Sequence, residues 1–551
     1  MPQSTGPSRS PLPTPRSIAY TGCMPAGIRQ IPVGRITLIA LAVALGLGAI
    51  DAISLAWMAP AYGRLVLFGS LVLALAALGA ALLRRAGFRL PALLVMVASF
   101  ALNAWYLSGT AFDERNYDAP AHLQYIHRLV ELHQLPMAKD CSICHHPPLY
   151  HLLAAGVMVA AYRSAVVSAP FALQVMSLGL FYVFVAFGVL TVQALMSDTR
   201  VQPWAAAFLV FWPVSVINSV RLNNDLLLFA LVSAGMYYLV RWRRDRARRH
   251  LIVACALAVG ATFTKLNGLI LAGALGGLLA WDAARKGEPR QRARRDWAVI
   301  AAMVLALGVM GGVRLWREPG PLSHRALGAA ALDRPTSPHG LARTYLTFDV
   351  VAYLRTPYSI AGMTGDNDVP YWNHLLKSSL FGTRNLLQWA DGKTFRSNVT
   401  LVRVESALLL LLIGYVLVAL AVVRRVPRDH RVLSVYLALW FIVAGLSFHI
   451  WAPRPHHTDF RFIYPILIPA AAVFFESAKA LRRRRAFAGA AGYVLVGAFW
   501  IGAIWFFAFG VRPDAAELAE RVLPGPKSEE PRPNTMLHLE WTKPRPTRMI
   551  R

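Results

Sequence analysis

The sequence alternates long apolar runs with short polar or arginine-rich segments. Apolar runs recur along most of the chain, and those of about 18 residues or more can cross roughly 30 Å of hydrocarbon as a helix. The runs are unbroken rather than alternating, which favours helices over barrel strands. The pattern predicts about 13 transmembrane helices, near residues 36–58, 64–83, 89–107, 171–196, 203–219, 225–240, 250–266, 268–282, 297–315, 401–423, 432–450, 462–480 and 487–510.

One further apolar run, residues 149–163, breaks the alternation of inner and outer loops. If it crossed the membrane, the basic segment Arg241–Arg249 would move to the outer side, against the usual distribution of positive charge. We therefore expect a short or re-entrant segment there, or a misjudged neighbouring pair of spans.

Composition supports the same class of protein. The chain has 551 residues, of which 56% are hydrophobic and 15% are charged, whereas soluble proteins carry about 25% charged residues. A single soluble core cannot absorb this excess of apolar side chains. The predicted fold class is an all-α polytopic membrane protein whose external loops carry short juxtamembrane helices.

The net charge of +29 raises the question of nucleic acid, and the placement of the charge answers it. The basic residues cluster in short segments between apolar runs, which is the positive-inside pattern of membrane proteins. Such loops also attract anionic lipid headgroups. We therefore expect membrane lipids as partners and no nucleic acid.

The apolar pattern divides the chain into five regions. Residues 1–35 are expected to be a disordered cytoplasmic tail, and the loop 108–148 then falls outside. Within the region 316–400, the pattern of Tyr371–Gly382 predicts an amphipathic piece that packs in order near the membrane surface. The regions are the tail 1–35, an N-terminal transmembrane module 36–315 that includes the external loop 108–148, an external segment 316–400, C-terminal transmembrane helices 401–510 and a tail 511–551.

The external loop predicts a helix from Asp118 to about Gln134. Asp118, His122 and Tyr125 fall on one face of that helix. A second face is apolar and suits packing on the membrane or against spans; it carries Leu123, Ile126 and Val130. Asp118 fits two roles here, as a helix N-cap or as a functional acid.

The same loop holds the sequence Cys141-Ser-Ile-Cys144-His145. This matches the C-x-x-C-H pattern of c-type haem attachment. A disulfide suits an oxidising compartment equally, and two free thiols are also open. A zinc site from Cys141, Cys144, His145 and His146 is a further reading, though crowded in sequence.

Several motifs, taken in order, resemble membrane glycosyltransferases of the GT-C type. Within that type, the resemblance is to the group of protein O-mannosyltransferases and lipid A aminoarabinose transferases. It spans about residues 89–480, and the order and spacing of the motifs carry it. They are the external acid followed by a helix with His122, His146-Pro-Pro-Leu-Tyr150, Arg221-Leu-Asn-Asn224-Asp225, Thr264-Lys265-Leu-Asn-Gly268, Leu376–Gly382, and Asp459-Phe-Arg461-Phe-Ile-Tyr464-Pro465.

The resemblance implies an enzyme that moves a hexose or pentose, with inversion, from a polyprenyl-phosphate carrier to a glycan, lipid or protein acceptor. The site would lie on the periplasmic side of the inner (plasma) membrane. In such enzymes the first-loop acid acts as general base or holds a metal near the donor. A divalent metal therefore stays open as a cofactor, and no other is expected.

The resemblance assigns roles to individual residues. Asp118 is the predicted base because it keeps the Asp-to-His spacing, with Asp113 and Glu114 in reserve because they keep the acid pair. Asp225 is the second candidate acid, with an N-cap as its alternative. Arg221, Lys265 and Arg461 are predicted to be phosphate partners, or else interfacial cations. The full set of predicted substrate-binding residues is His122, His146, Tyr150, Arg221, Asn224, Lys265, Lys377, Asp459 and Arg461.

Two other functions are compatible with the sequence. A polytopic transporter or flippase would handle the carrier lipid without cleaving the sugar–phosphate bond. A membrane redox protein would carry haem at Cys141 and Cys144.

Overall fold

A computed structural model describes residues 60–112, 116, 118–284, 290–317, 345–356, 370–382, 392–422, 428–451, 459–511, 518 and 521–522. Asp113 and Glu114 lie outside these residues, as do the predicted first span, both tails for the most part and much of the segment 316–400. In the part of the chain that is described, every regular element is a helix.

The helices follow one another as the apolar pattern predicts, with a few interruptions. Three short 3₁₀ turns lie at Thr199–Val201, Leu266–Gly268 and Phe460–Ile466. The α-helices are α1 (Pro60–Arg85), α2 (Leu90–Ser108), α3 (Ala119–Leu132), α4 (Leu149–Ser164), α5 (Ala169–Met196), α6 (Gln202–Val210), α7 (Pro213–Ser219), α8 (Asp225–Asp245), α9 (Arg248–Thr264), α10 (Leu269–Ala284), α11 (Arg290–Arg317), α12 (Val350–Arg355), α13 (Tyr371–Phe381), α14 (Gly392–Val422), α15 (Arg428–Trp451), α16 (Leu467–Arg484) and α17 (Ala486–Gly510).

Eight of the described helical segments are long and apolar enough to cross a membrane, or nine if the bent pair α6–α7 is one span. The chain is a multi-pass α-helical membrane protein, as the sequence predicts. The eight are Leu90–Ser108, Ala169–Met196, Asp225–Asp245, Leu266–Ala284, Ala293–Arg317, Val399–Ala421, Phe460–Arg484 and Ala486–Gly510. The total of about 13 stays a prediction, because the run 36–58 lies outside the described residues.

Some predicted spans have a different shape in the structure. The run 203–219 is broken, since α6 and α7 meet at a bend of 72° beside Pro213; proline ends or kinks a helix. The run 250–266 forms α9 (Arg248–Thr264), whose 17 residues are fewer than the ~20 typical of a span. The run 149–163 forms α4, whose 16 residues are fewer than the ~20 that a span needs.

The helix α13 corresponds to the piece expected to be amphipathic and near the membrane surface, and it is covered on its polar side as well as its apolar side. Its polar side chains are buried along with its apolar ones, including Asn373, His374 and Lys377. The backbone N–H of Phe460 donates to the Ser378 hydroxyl at 2.9 Å, and the Trp212 indole donates to the Ser379 carbonyl at 2.7 Å. These bonds enclose α13 between α7 and the Phe460–Ile466 turn.

At the break between α9 and α10, the backbone of the turn packs closely against the backbone at the end of α9. Lys265 is extended, with φ −160°, between the end of α9 and the Leu266–Gly268 turn. A Cβ added at Gly268 would lie 2.2 Å from the backbone nitrogen of Thr262. Only glycine fits here, so the chain can turn tightly and leave Lys265 in place.

We expect Gly268→Ala to lower the free energy of unfolding by about 1–3 kcal/mol, the usual range for overpacking, because backbone atoms must move. The matched control is Gly276→Ala in the same helix pair, where an added Cβ meets nothing within 4 Å. Thermal unfolding in detergent compares the two variants. Equal melting temperatures would show that the turn tolerates a side chain.

Candidate active site

Two ion pairs meet at one point in the fold, and four distant parts of the chain supply them. Arg461 Nη1 lies 2.6 Å from Asp118 Oδ2, and Lys265 Nζ lies 2.5 Å from Asp225 Oδ1. The pairs are joined, because Arg461 Nη1 is also 4.0 Å from Asp225 Oδ2. Asp459 adds a third carboxylate, with Oδ2 at 3.4 Å from Arg461 Nε.

Local structure explains how each charged side chain is presented. Asp118 stands at the N-cap position of α3, but its side chain makes no capping bond and reaches Arg461 instead. Asp225 opens α8, and its backbone N–H donates to the Asn223 side chain at 3.2 Å. Asp459 caps the Phe460–Ile466 turn by accepting from the backbone N–H of Arg461 at 3.0 Å.

Aromatic contact completes the environment of the two cations. The Phe462 ring centroid is 5.1 Å from Lys265 Nζ and 5.2 Å from Arg461 Cζ, within the ~6 Å over which a ring attracts a cation. Asp225, Lys265 and Arg461 are all buried. The Asp118 side chain is 25% exposed, so it is the most accessible of the four charged side chains in the two pairs.

Asp118 is a carboxylate throughout the physiological range. Burial raises the pKa of this group, but the guanidinium of Arg461 and other nearby positive charge outweigh burial and bring the pKa down to about 2. A base of such low pKa accepts protons poorly. Its basicity can therefore rise only when Arg461 is drawn away.

Histidines and tyrosines form a wall beside the ion pairs. His122 Nδ1 lies 3.0 Å from His151 Nε2, and the Tyr125 ring stacks on His151 with centroids 3.8 Å apart. The rings of His146 and Tyr150 lie 6.4 Å and 5.8 Å from His122. His151 was not among the predicted site residues, although it directly follows the His146–Tyr150 motif.

His122 is neutral at pH 7. Burial lowers its pKa, the charge of Asp118 raises it again in part, and the result is about 4. Burial also lowers the pKa of His146 well below its usual value. The wall is therefore a set of uncharged rings beside a charged centre.

Three other predicted residues have different surroundings. Arg221 Nη1 donates to the Asn218 side chain at 3.2 Å, and Asn224 Nδ2 donates to the Thr264 carbonyl at 3.3 Å, which ties α8 to the end of α9. Lys377 Nζ donates to the Ser406 hydroxyl at 2.5 Å and lies 4.2 Å from the Tyr353 ring centroid. Burial and then Arg403 lower the pKa of Lys377 to about 7.

Cys141 and Cys144 form a disulfide. In this state neither carries the thiol that haem attachment or zinc binding requires. Among the residues that the structure covers, no group of three or more His, Cys, Asp or Glu side chains is arranged to hold a metal ion. Asp113 and Glu114, the reserve acids, lie outside the described residues. A metal site that includes either of them therefore stays a prediction.

No family model matches the sequence, and no curated protein does. Solved structures with some likeness are those of the Archaeoglobus fulgidus oligosaccharyltransferase. The apo form has 12% identity and a TM-score of 0.46, over 77% of this chain and 57% of that one. The archaeal oligosaccharyltransferase AglB from the same organism, with an inhibitory peptide and a dolichol-phosphate, has 12% identity and a TM-score of 0.43, over 77% and 56%. The complex with Zn and sulfate has 14% identity and a TM-score of 0.43, over 76% and 54%.

This chain thus spans little more than half the length of those proteins. At such identities and TM-scores, nothing about the activity of this chain follows from them.

We expect Asp225→Asn to lower the free energy of unfolding by about 3–5 kcal/mol, because it leaves the buried Lys265 ammonium without its nearest counter-charge. The double variant with Lys265→Met should recover much of that loss. Asp198→Asn is the control, since Asp198 pairs with Lys479 at 3.1 Å on an exposed surface, where such a pair contributes about 0–1 kcal/mol. Thermal unfolding of wild type, Asp225→Asn, Lys265→Met and the double variant measures the cycle, and Asp198→Asn is compared with wild type. A double variant no more stable than Asp225→Asn would show that the pair is not the source of the loss.

Stability should also fall as the pH drops from about 6.5 to about 4. The pKa of His122 is about 4 in the folded protein and about 6.5 in an unfolded chain, so only the unfolded chain takes up this proton in that range. His122→Gln should flatten the dependence of melting temperature on pH in this window. An unchanged slope in the variant would contradict the low pKa of His122.

Proposed function

We propose that this chain is an integral membrane glycosyltransferase of the GT-C type, which moves a sugar from a polyprenyl-phosphate carrier to an acceptor. The observation that carries the proposal is the meeting of Asp118, Asp225, Lys265 and Arg461 in two joined ion pairs. Each comes from a different motif of the sequence resemblance. The finer assignment, to the group of protein O-mannosyltransferases and aminoarabinose transferases, rests on those motifs alone.

The two cations suit a phosphate-bearing donor. A leaving lipid phosphate develops negative charge, and preorganised cations stabilise it. Arg461 and Lys265 are each held by a carboxylate. A bound phosphate competes for both, and it draws Arg461 from Asp118.

Asp118 becomes an effective base when Arg461 moves away from it. Without the guanidinium the pKa of Asp118 returns toward its usual range or above it, because burial alone raises it. The acceptor hydroxyl then gives its proton to Asp118 as its oxygen attacks the anomeric carbon. The sugar–phosphate bond breaks on the opposite side, its electrons go to the phosphate, and the configuration inverts.

The remaining residues hold this arrangement. Asp225 and Asp459 keep Lys265 and Arg461 in place through their contacts. His122, His146 and Tyr150 form the neutral wall for the sugar. Asn224 fixes the start of α8 against the end of α9. Arg221 and Lys377 are proposed to contact the substrate further out, and a divalent metal would involve Asp113 or Glu114.

The side of the membrane follows from the positive-inside pattern. Arginine-rich segments such as Arg482–Arg485 mark the cytoplasmic ends of helices, and the Asp118 loop is expected on the opposite side. We therefore place the site at the periplasmic face of the inner membrane. The acceptor, whether glycan, lipid or protein, would approach Asp118 from its exposed side.

Asp118→Asn should lower sugar transfer by about 100-fold or more, the usual scale for loss of a general base, with the folded protein retained. Glu131→Gln is the matched control, because Glu131 is a half-exposed acid of the same helix that pairs with His127 at 3.6 Å. The assay follows radiolabelled polyprenyl-phosphate sugar to transferred sugar and free carrier phosphate.

The same assay separates the alternative functions. A flippase would move the labelled donor across vesicles and leave the sugar–phosphate bond intact in wild type. Full transfer by Asp118→Asn would leave the enzyme assignment standing and remove Asp118 as the base.

A further inference from the structure

The imidazole rings of His122 and His151 face each other beside the ion pairs. His122 Nδ1 and His151 Nε2 are 3.0 Å apart. Both rings are buried, His122 at 2% exposure and His151 at 0%. Nitrogens at that distance share one hydrogen, so one ring donates and the other accepts.

His151 is rigidly held. It lies in the first turn of α4, which begins at Leu149 after two prolines. The Tyr125 ring stacks on it at 3.8 Å, and the Tyr150 ring meets it edge-on at 5.3 Å. A ring fixed on both sides can define the orientation of its hydrogen-bonded partner.

His122 has charged groups on its other side. It lies one helical turn after Asp118 on α3, a spacing that makes two side chains neighbours. Asp118 and Asp225 favour its charged form, while Lys265 and Arg461 oppose it. The uncharged rings of His146 and Tyr150 complete its surroundings.

We infer that His151 is a positioning residue that accepts the Nδ1 proton of His122, so that His122 Nε2 keeps its lone pair and receives, through a bridging water, the proton that Asp118 takes from the acceptor. The inference rests on the proposed function for its chemistry. The arrangement of the two rings does not depend on that function.

The proton path is balanced. The acceptor O–H bond breaks, its electrons form the new bond to the anomeric carbon, and its proton passes to Asp118 and then, through one bridging water, to His122 Nε2. His122 becomes an imidazolium whose Nδ1–H still donates to His151. Its positive charge lies beside Asp118 and Asp225, and Asp118 is free again as a carboxylate for Arg461 once the phosphate departs.

The role explains why a weakly basic ring is suitable. The imidazole must return its proton to solvent after each transfer, and a group of low pKa does so readily. The bond to His151 stabilises the imidazolium, because a hydrogen bond to the charged form favours that form.

The main test is His151→Phe, which keeps a ring to stack on Tyr125 and removes the acceptor nitrogen. We expect kcat to fall about tenfold or more, the scale of a lost orienting partner, while KM for the donor changes less than about twofold. The acid limb of the kcat profile should move to lower pH, because His122 loses a bond that favours its charge. His127→Phe is the control, since His127 lies on the same helix and pairs with Glu131 at 3.6 Å. Wild-type kcat and an unmoved pH profile in His151→Phe would overturn the inference.

A second measurement does not need activity or a folded variant. Nitrogen-15 NMR of wild type labelled at histidine should show His122 protonated at Nδ1 and His151 unprotonated at Nε2, with coupling across the bond. The reverse tautomers would overturn the inference. If wild-type protein transfers no sugar, the proposed function fails, and the NMR result still decides the roles of the two rings.

Discussion

The structure depends on the pairing of two buried cations. Arg461 and Lys265 sit where water is scarce, and an unpaired charge in such a place costs several kcal/mol. Each must lie against a carboxylate, and the nearest ones come from α3 and α8. The pairing therefore fixes the external loop, the start of α8, the break after α9 and the Phe460–Ile466 turn relative to one another.

The same pairing makes the site responsive. A carboxylate bound to a guanidinium is stable but weakly basic, and a cation bound to a carboxylate is available to a stronger anion. In the proposed function, a phosphate that binds the cations therefore makes Asp118 a better base in the same event. The ion pairs compensate the buried charges, and under the proposed function they also couple donor binding to proton removal. The neutral rings around His122 add no competing charge.

Much of the helical layout was predictable, because hydropathy is a local property of the sequence. The runs 89–107, 171–196 and 487–510 reappear as α2, α5 and α17. The broken run 203–219 was read as one span because its composition is uniformly apolar, although Pro213 marks the break. The burial of the polar side chains of α13 was not predictable, because local periodicity does not reveal that other elements cover that face.

The sequence named the four charged residues that the structure brings together, but not how they pair. Asp118, Asp225, Lys265 and Arg461 were all named, but the partner of Asp118 is 343 residues away. From the local sequence, Asp118 could equally be a helix N-cap or a functional acid. Only the tertiary structure shows that its side chain pairs with Arg461. His151 was not named because its contact with the His122 ring of α3 arises only in the tertiary structure.

The most direct measurement is the titration of Asp118 itself, by infrared difference spectra of carbon-13-labelled aspartate in wild type and in Asp118→Asn. Without ligand the carboxylate should titrate near pH 2, as its pKa of about 2 requires. Saturating polyprenyl phosphate should raise that midpoint toward the ordinary value for aspartate, about 3.9 or higher, because the phosphate draws Arg461 away. A midpoint that polyprenyl phosphate leaves unchanged would contradict the account.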